Sequence, residues 1–462
     1  MAPRWCTRLL GASSAPWLAL LLASPVPAAN AGAAPAGAPD PRLAEATAGI
    51  TAQHVKDDIE TLVSFGTRST LSAQDPAALA AHRGIGAARD WVAAQLERYS
   101  SACGGCLEVK TDRFTQEPGE RVASPTVITN VYAVLKGTDP SAAARIVLVT
   151  GHYDSRNSSN EDVTHEAPGA NDDASGVAVS LECARVLSRL RFPATIIFLT
   201  VAGEEQGLYG SAHFARSARE QHWNIEAVLN DDIVGGDRTA GQDPSVVRVF
   251  SEGIPATAGA GEVRTIRNQG LENDSASREL ARYIAAVAES YGLPLKPLLV
   301  FRQDRYLRGG DHASFNEAGY AAVRFTEYRE NYHHQHQTPR IEGGIEYGDL
   351  LKFVDVEYVA RVARLNALTL ASLASAPAPP GQAQLLTTQL ENDSTLQWQP
   401  SPGASGYEIL WRDTRAPDWQ HLEWVRDTHA TVPISKDNVV FAVRAVDAAG
   451  HRSLAVVPAP MR

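Results

Sequence analysis

Residues 194–201 read Ala-Thr-Ile-Ile-Phe-Leu-Thr-Val and run into Ala202-Gly203-Glu204-Glu205. A short, unbroken apolar run of this kind predicts a strand buried on both faces of a sheet. The stretch before it, 174–190, predicts a helix with apolar residues on most sides. Upstream, 127–135 and 145–150 predict further strands; downstream, 225–234 and 321–325 continue the series. Helical spacing covers 51–64, 77–99, 275–291 and 350–373. Strands alternating with helices indicate an α/β fold with a mostly parallel sheet flanked by helices.

In such sheets, ligands bind at the carboxyl ends of the strands. The first strand of the parallel series ends in Gly151-His152-Tyr153-Asp154, the next in Gly203-Glu204-Glu205, the third in Asp231-Asp232. Between the first two, Gly169-Ala170-Asn171-Asp172-Asp173-Ala174-Ser175-Gly176 forms a loop leading into the helix. Each piece alone is common without a metal. Together they bring acidic and imidazole groups to one sheet edge. Crowded carboxylates repel one another unless a cation lies between them, and oxygen with imidazole ligands suits zinc.

The motifs GHYDS, PGANDDASG, AGEEQGLYGS and LNDDIVG, in this order, resemble the co-catalytic zinc exopeptidases. That family includes secreted bacterial aminopeptidases and glutamate carboxypeptidases. The resemblance spans about residues 127–371. It implies a zinc exopeptidase fold and two Zn2+ ions. It implies His152, Asp172, Glu205 and Asp232 as metal ligands, with Asp172 bridging. It makes Glu204 the general base and Asp154 the carboxylate that orients His152. The last ligand falls among His333, His334 and His336, and the reading takes His334. His312 is expected in a structural or pocket-wall role, and Tyr306 as a donor to the tetrahedral intermediate.

The implied activity is that of an aminopeptidase, with peptides as substrate. Three alternatives stay open: a glutaminyl cyclase-like acyltransferase, a carboxypeptidase of the same fold, and a non-catalytic receptor-like ectodomain. Arg302, Arg305 and Arg308 keep the carboxypeptidase in view. The net charge of -11 argues against nucleic-acid and anionic-membrane binding.

The ends of the 462-residue chain differ in character. Arg4 and Arg8, the apolar run 17–23 and the small residues that follow predict a signal peptide over 1–31, and hence a secreted or periplasmic protein. The Ala/Gly/Pro-rich stretch 32–50 predicts a disordered linker before a peptidase domain over 51–373. Residues 374–381 form a second linker. Short strands at 395–399, 406–411, 421–425 and 439–446 then predict a β-sandwich over 382–462 that resembles a fibronectin type III domain, with Trp398 in its core. Such a module is expected to bind a surface, polymer or protein partner and to be dispensable for catalysis by a monomer. Cys103 and Cys106 are spaced for a local disulfide, with a redox pair or half of a zinc knuckle as alternatives, and Cys183 lies in an apolar helical pattern.

Overall fold

The computed structural model describes residues 39–388 and 390–461. The expected signal peptide lies outside the described residues.

In chain order, the N-terminal helices are α1 (Pro41–Ala48), α2 (Ala52–Ser64), α3 (Pro76–Ala80) and α4 (Gly84–Ala102). The α/β region follows as β1 (Leu107–Gln116), β2 (Thr126–Leu135), β3 (Arg145–His152), α5 (Ala174–Leu187), β4 (Thr195–Val201), α6 (Tyr209–Glu220) and β5 (Asn224–Asp231). It continues with β6 (Val246–Ser251), α7 (Ala260–Gln269), α8 (Ala276–Ser290), β7 (Lys296–Val300), α9 (Asp311–Glu317) and β8 (Ala322–Glu327). A short hairpin, β9 (Arg340–Glu342) and β10 (Ile345–Tyr347), precedes the long α10 (Val356–Ser375).

Eight strands form one sheet in the order β1-β2-β4-β3-β5-β8-β6-β7. β3 pairs in parallel with β4 and β5, β5 with β8, and β6 with β7. β1–β2, β2–β4 and β6–β8 are antiparallel. Every residue of β4 is buried, as the apolar run predicted. Alternation sorts its side chains between two cores. Ile196 and Phe198 join Val147 and Val149 under α5 and α10, while Ile197 and Leu199 join Leu148, Phe214 and Phe315 on the opposite face. Because β3, β4 and β5 run in one direction, their carboxyl ends open on the same edge.

The structure corrects the first linker. Residues 41–48 are helical, and Leu43, Thr47 and Ile50 are buried. Asp40 accepts a hydrogen bond from Arg42 N at 2.9 Å, and Pro41 sits in the first turn. This is a helix-start signal that a reading of composition alone passes over. Helix α10 starts later than expected, because Asp355 caps it by accepting from the backbone of Glu357 and Tyr358. Cys103 and Cys106 are disulfide-bonded, and Cys183 is a buried free thiol.

The C-terminal region is a two-sheet sandwich. Its strands are β11 (Gly381–Leu386), β12 (Ser394–Gln399), β13 (Gly406–Asp413), β14 (His421–Val425), β15 (His429–Val432), β16 (Val439–Val446) and β17 (Ala459–Met461). The sheets are β15-β12-β11-β17 and β14-β13-β16. Leu396, Trp398, Tyr407, Ile409, Phe441 and Val443 fill the space between them.

Candidate metal centre

His152 ends β3, Glu204 and Glu205 follow β4, and Asp232 follows β5. Asp172 lies in the loop before α5. These side chains converge as two groups whose potential ligand atoms lie within 4.8 Å of one another: His152, Glu204 and Asp232, and Asp172, Glu205 and His336. Asp172 joins the groups. Its Oδ1 lies 3.1 Å from His152 Nε2, and its Oδ2 lies 2.8 Å from His336 Nε2. His336 Nε2 is also 3.2 Å from Glu205 Oε1.

The expectation of His334 is therefore corrected. His334 points behind the centre, where its Nδ1 meets Asp237 and its ring stacks on Phe353 with centroids 3.6 Å apart. His333 packs edge-on against Tyr347. His336 has a positive φ of 54° and its Nε2 meets Asp172 and Glu205, whereas the rings of His333 and His334 pack on Tyr347 and Phe353. Asp231 and Asp232 also separate. Asp231 accepts from Asn366 Nδ2 at 2.9 Å, and Asp232 faces the centre. Tyr306 is 77% exposed, and its hydroxyl accepts from Arg302 Nη2 at 3.0 Å. That places it on the outer surface rather than where the sequence reading expected it. His312 is fully buried, with Nε2 bonded to Gln303 O at 2.9 Å, as a structural role requires.

Residues 130–345 match peptidase family M28. A probable zinc metalloprotease of Pyricularia oryzae is 46% identical over 436 residues, covering 91% of this chain and 85% of that protein. A second, from Leptosphaeria maculans, is 43% identical over 429 residues, covering 92% of this chain and 98% of that protein. The chain belongs to peptidase family M28. It is accordingly a zinc-dependent peptidase. The LapA aminopeptidase of Legionella pneumophila shares the fold, with a TM-score of 0.50 and 22% identity over 72% of this chain and 75% of that one.

The residues present in this M28 chain fit zinc. His152 Nε2 and Glu205 Oε1 are buried without a hydrogen-bond partner. Buried polar atoms are rarely left so, and a cation satisfies both. Burial disfavours a charged His336, yet Glu205 and Asp172 outweigh it and lift its pKa to about 10. These carboxylates call for positive charge at this point. Burial, with repulsion from Asp232 and Glu205 and against the pull of His152, raises the Glu204 carboxyl well above its ordinary value.

Around these candidate ligands stands a layer of supports that the sequence motifs do not announce. His152 Nδ1 bonds to the backbone carbonyl of Asp154 at 3.2 Å, and Asp154 Oδ1 lies 3.4 Å from the same nitrogen. Its Oδ2 accepts from Thr70 Oγ1 at 3.0 Å and from Glu205 N at 3.3 Å. Thr70 Oγ1 in turn accepts from Gly203 N at 2.9 Å, tying the strand ends together. Asp173 accepts from Gly176 N and His152 N, both at 2.9 Å, so it caps α5 and fixes β3 at once. Asp349 accepts from Asn171 N at 2.8 Å and Asp172 N at 2.7 Å. Arg68, wholly buried, donates to the carbonyls of Tyr153, Leu62, Pro168 and Gly169. Arg324 Nη2 lies 2.8 Å from Asp232 Oδ1, and its Nη1 lies 3.2 Å from Asp304 Oδ2. Buried charges of this kind need partners, and a lone buried Arg in a strand such as β8 is the one signal that could have exposed Arg324.

Proposed function

We propose that the chain is a two-zinc exopeptidase that removes the N-terminal residue of peptides. The observation that carries this reading is Asp172, whose two carboxylate oxygens face different histidines, as a carboxylate shared by two cations must. His152 and Asp232 would hold one zinc, Glu205 and His336 the other, and Asp172 both. Zinc, when bound, polarises the scissile carbonyl and lowers the pKa of water toward about 7.

The protein side chains do the rest. Glu204 stands with His152 and Asp232 in the first group and has no ligand role in this scheme. Its carboxylate accepts the proton of the attacking water and returns it to the leaving amine nitrogen. Asp154 holds the His152 ring so that Nε2 faces inward. Arg324 holds Asp232 from behind. The secreted or periplasmic location rests on the sequence of residues 1–31 and agrees with the Cys103–Cys106 disulfide. A carboxypeptidase reading draws on Arg308, which approaches Gln335 Oε1 at 3.4 Å beside Asp172.

The test pairs one variant with a substrate panel. Glu204→Gln should retain zinc and lose activity by at least about 100-fold. Full activity with zinc retained would remove Glu204 from the mechanism. Free aminoacyl anilides should be cleaved and N-blocked ones left intact; cleavage only of substrates with a free carboxyl end would move the assignment to a carboxypeptidase.

A further inference from the structure

The sandwich is joined to the peptidase by a buried ionic cluster. Arg412, at the end of β13, places Nη2 2.5 Å from Asp274 Oδ1, just before α8. Asp274 Oδ1 also lies 3.4 Å from Arg282 Nη1 on α8, and Arg282 pairs with Glu279 one turn earlier. Trp419, in the β13–β14 connection, donates from Nε1 to Glu279 Oε2 at 2.9 Å. Arg282 Nε donates to Pro417 O at 2.6 Å. The side chains of Asp274, Glu279, Arg282 and Arg412 are 0%, 3%, 5% and 2% exposed. Two acids and two arginines balance only when Arg412 is included. Of these four ion-paired groups, the peptidase supplies two carboxylates and one guanidinium, and the sandwich supplies the second guanidinium. A freely tethered module does not bury charge in this way.

The cluster continues toward the metal centre. The Arg282 guanidinium lies 5.7 Å from the Trp419 ring centroid and 5.2 Å from that of Phe301. Arg278, one turn earlier on α8, covers the same Phe301 ring at 4.4 Å and donates from Nε to Ser251 O and Glu252 O. Ser251 N donates to Arg302 O at 3.0 Å. Phe301 thus anchors the segment 301–310, which reaches the centre twice. Asp304 meets Arg324, which meets Asp232. Arg308 meets Gln335, whose Nε2 donates to Asp172 Oδ2 at 3.2 Å.

We infer that Arg412 and the 414–420 connection of the C-terminal sandwich are a working part of the peptidase: Arg412 and Trp419 act as positioning residues that hold the 301–310 wall beside the metal centre. The kinetic consequence rests on the peptidase reading above, whereas the ordering of 301–310 does not.

The experiment uses the full chain with Trp419→Ala and Arg412→Met, and Trp419→Phe as the conservative control. Couplings through packed networks change equilibria by about 3- to 30-fold. Amide exchange across 301–310 should accelerate by about that factor in both disruptive variants. KM for an aminoacyl anilide should rise by a similar factor, with zinc content unchanged. Trp419→Phe, which keeps a ring beside Arg282, should restore most of both. A lower unfolding midpoint with exchange at 301–310 and KM both unchanged would reduce the sandwich to a stabilising attachment and overturn the inference. Should Trp419→Ala fail to fold, the milder Arg412→Lys is read by the same two measurements. Faster exchange without measurable hydrolysis of the anilide would support the coupling and count against the aminopeptidase reading instead.

Discussion

Arg68→Met removes a buried strap beneath the metal centre. The guanidinium spans the carbonyls of Tyr153 (2.8 Å), Leu62 (3.1 Å), Pro168 (2.5 Å) and Gly169 (2.8 Å). Burial lowers its pKa to about 10, so it stays cationic at neutral pH and each bond is charge-assisted. Charge-assisted bonds contribute about 1.5–3 kcal/mol each, but they are not additive, and water entering the gap recovers part of the loss. Removing the guanidinium leaves four buried carbonyls short of a donor, at about 1–3 kcal/mol for each one that finds no other partner. The expected loss is therefore about 4 kcal/mol, or roughly a thousandfold in the unfolding constant. Equilibrium urea unfolding should show it as a midpoint shift of about 1 M or more. Zinc affinity should fall as well, because the strap fixes Gly169 three residues before Asp172. A loss below about 1 kcal/mol would show that the carbonyls find other partners, and the account of this loop would be wrong.

Thr70→Val deletes the hydroxyl between Asp154 and Gly203 while nearly preserving shape. Chelator competition should show zinc affinity weakened by about 10- to 100-fold, the usual effect of losing a group behind a ligand; unchanged affinity would exclude Thr70 from the support of His152. Burial pushes the Glu252 carboxyl up to about 7. The unfolded chain releases this proton near the ordinary carboxylate value, so the folded form binds more protons in between, and stability falls as pH rises through that window. Discounted for partial contact with solvent, Glu252→Gln should stabilise the protein by about 1–2 kcal/mol at about pH 8 and by little at about pH 5, measured by urea unfolding at both. An equal effect at the two pH values would contradict the sign.

Where side chains act near their own strand, the sequence was readable. The buried run 194–201 identified the middle of the sheet, and His152, Glu204, Glu205 and Asp232 follow directly from strand ends. β1 was not legible, because its exposed edge carries Glu108, Lys110, Asp112 and Arg113 and lacks an apolar signature. β7, with Pro297 and mostly half-exposed positions at the other edge, hid for the same reason. The choice among His333, His334 and His336 depended on a backbone turn that no spacing rule reports. Arg68, Thr70, Asp349 and Arg324 come from segments far apart in the chain and meet only after folding. The role of the C-terminal sandwich was hidden likewise, because nothing local to Arg412 or Trp419 announces Asp274 or Glu279 as a partner.

The proposed pair of zinc sites shares Asp172, and His336 completes the second of them. Zinc content, measured after dialysis against a weak chelator, tests it directly. The parent chain should hold about two zinc ions, His336→Ala about one, and His334→Ala about two. A parent holding about one zinc, or a loss of zinc in His334→Ala with none in His336→Ala, would contradict the account.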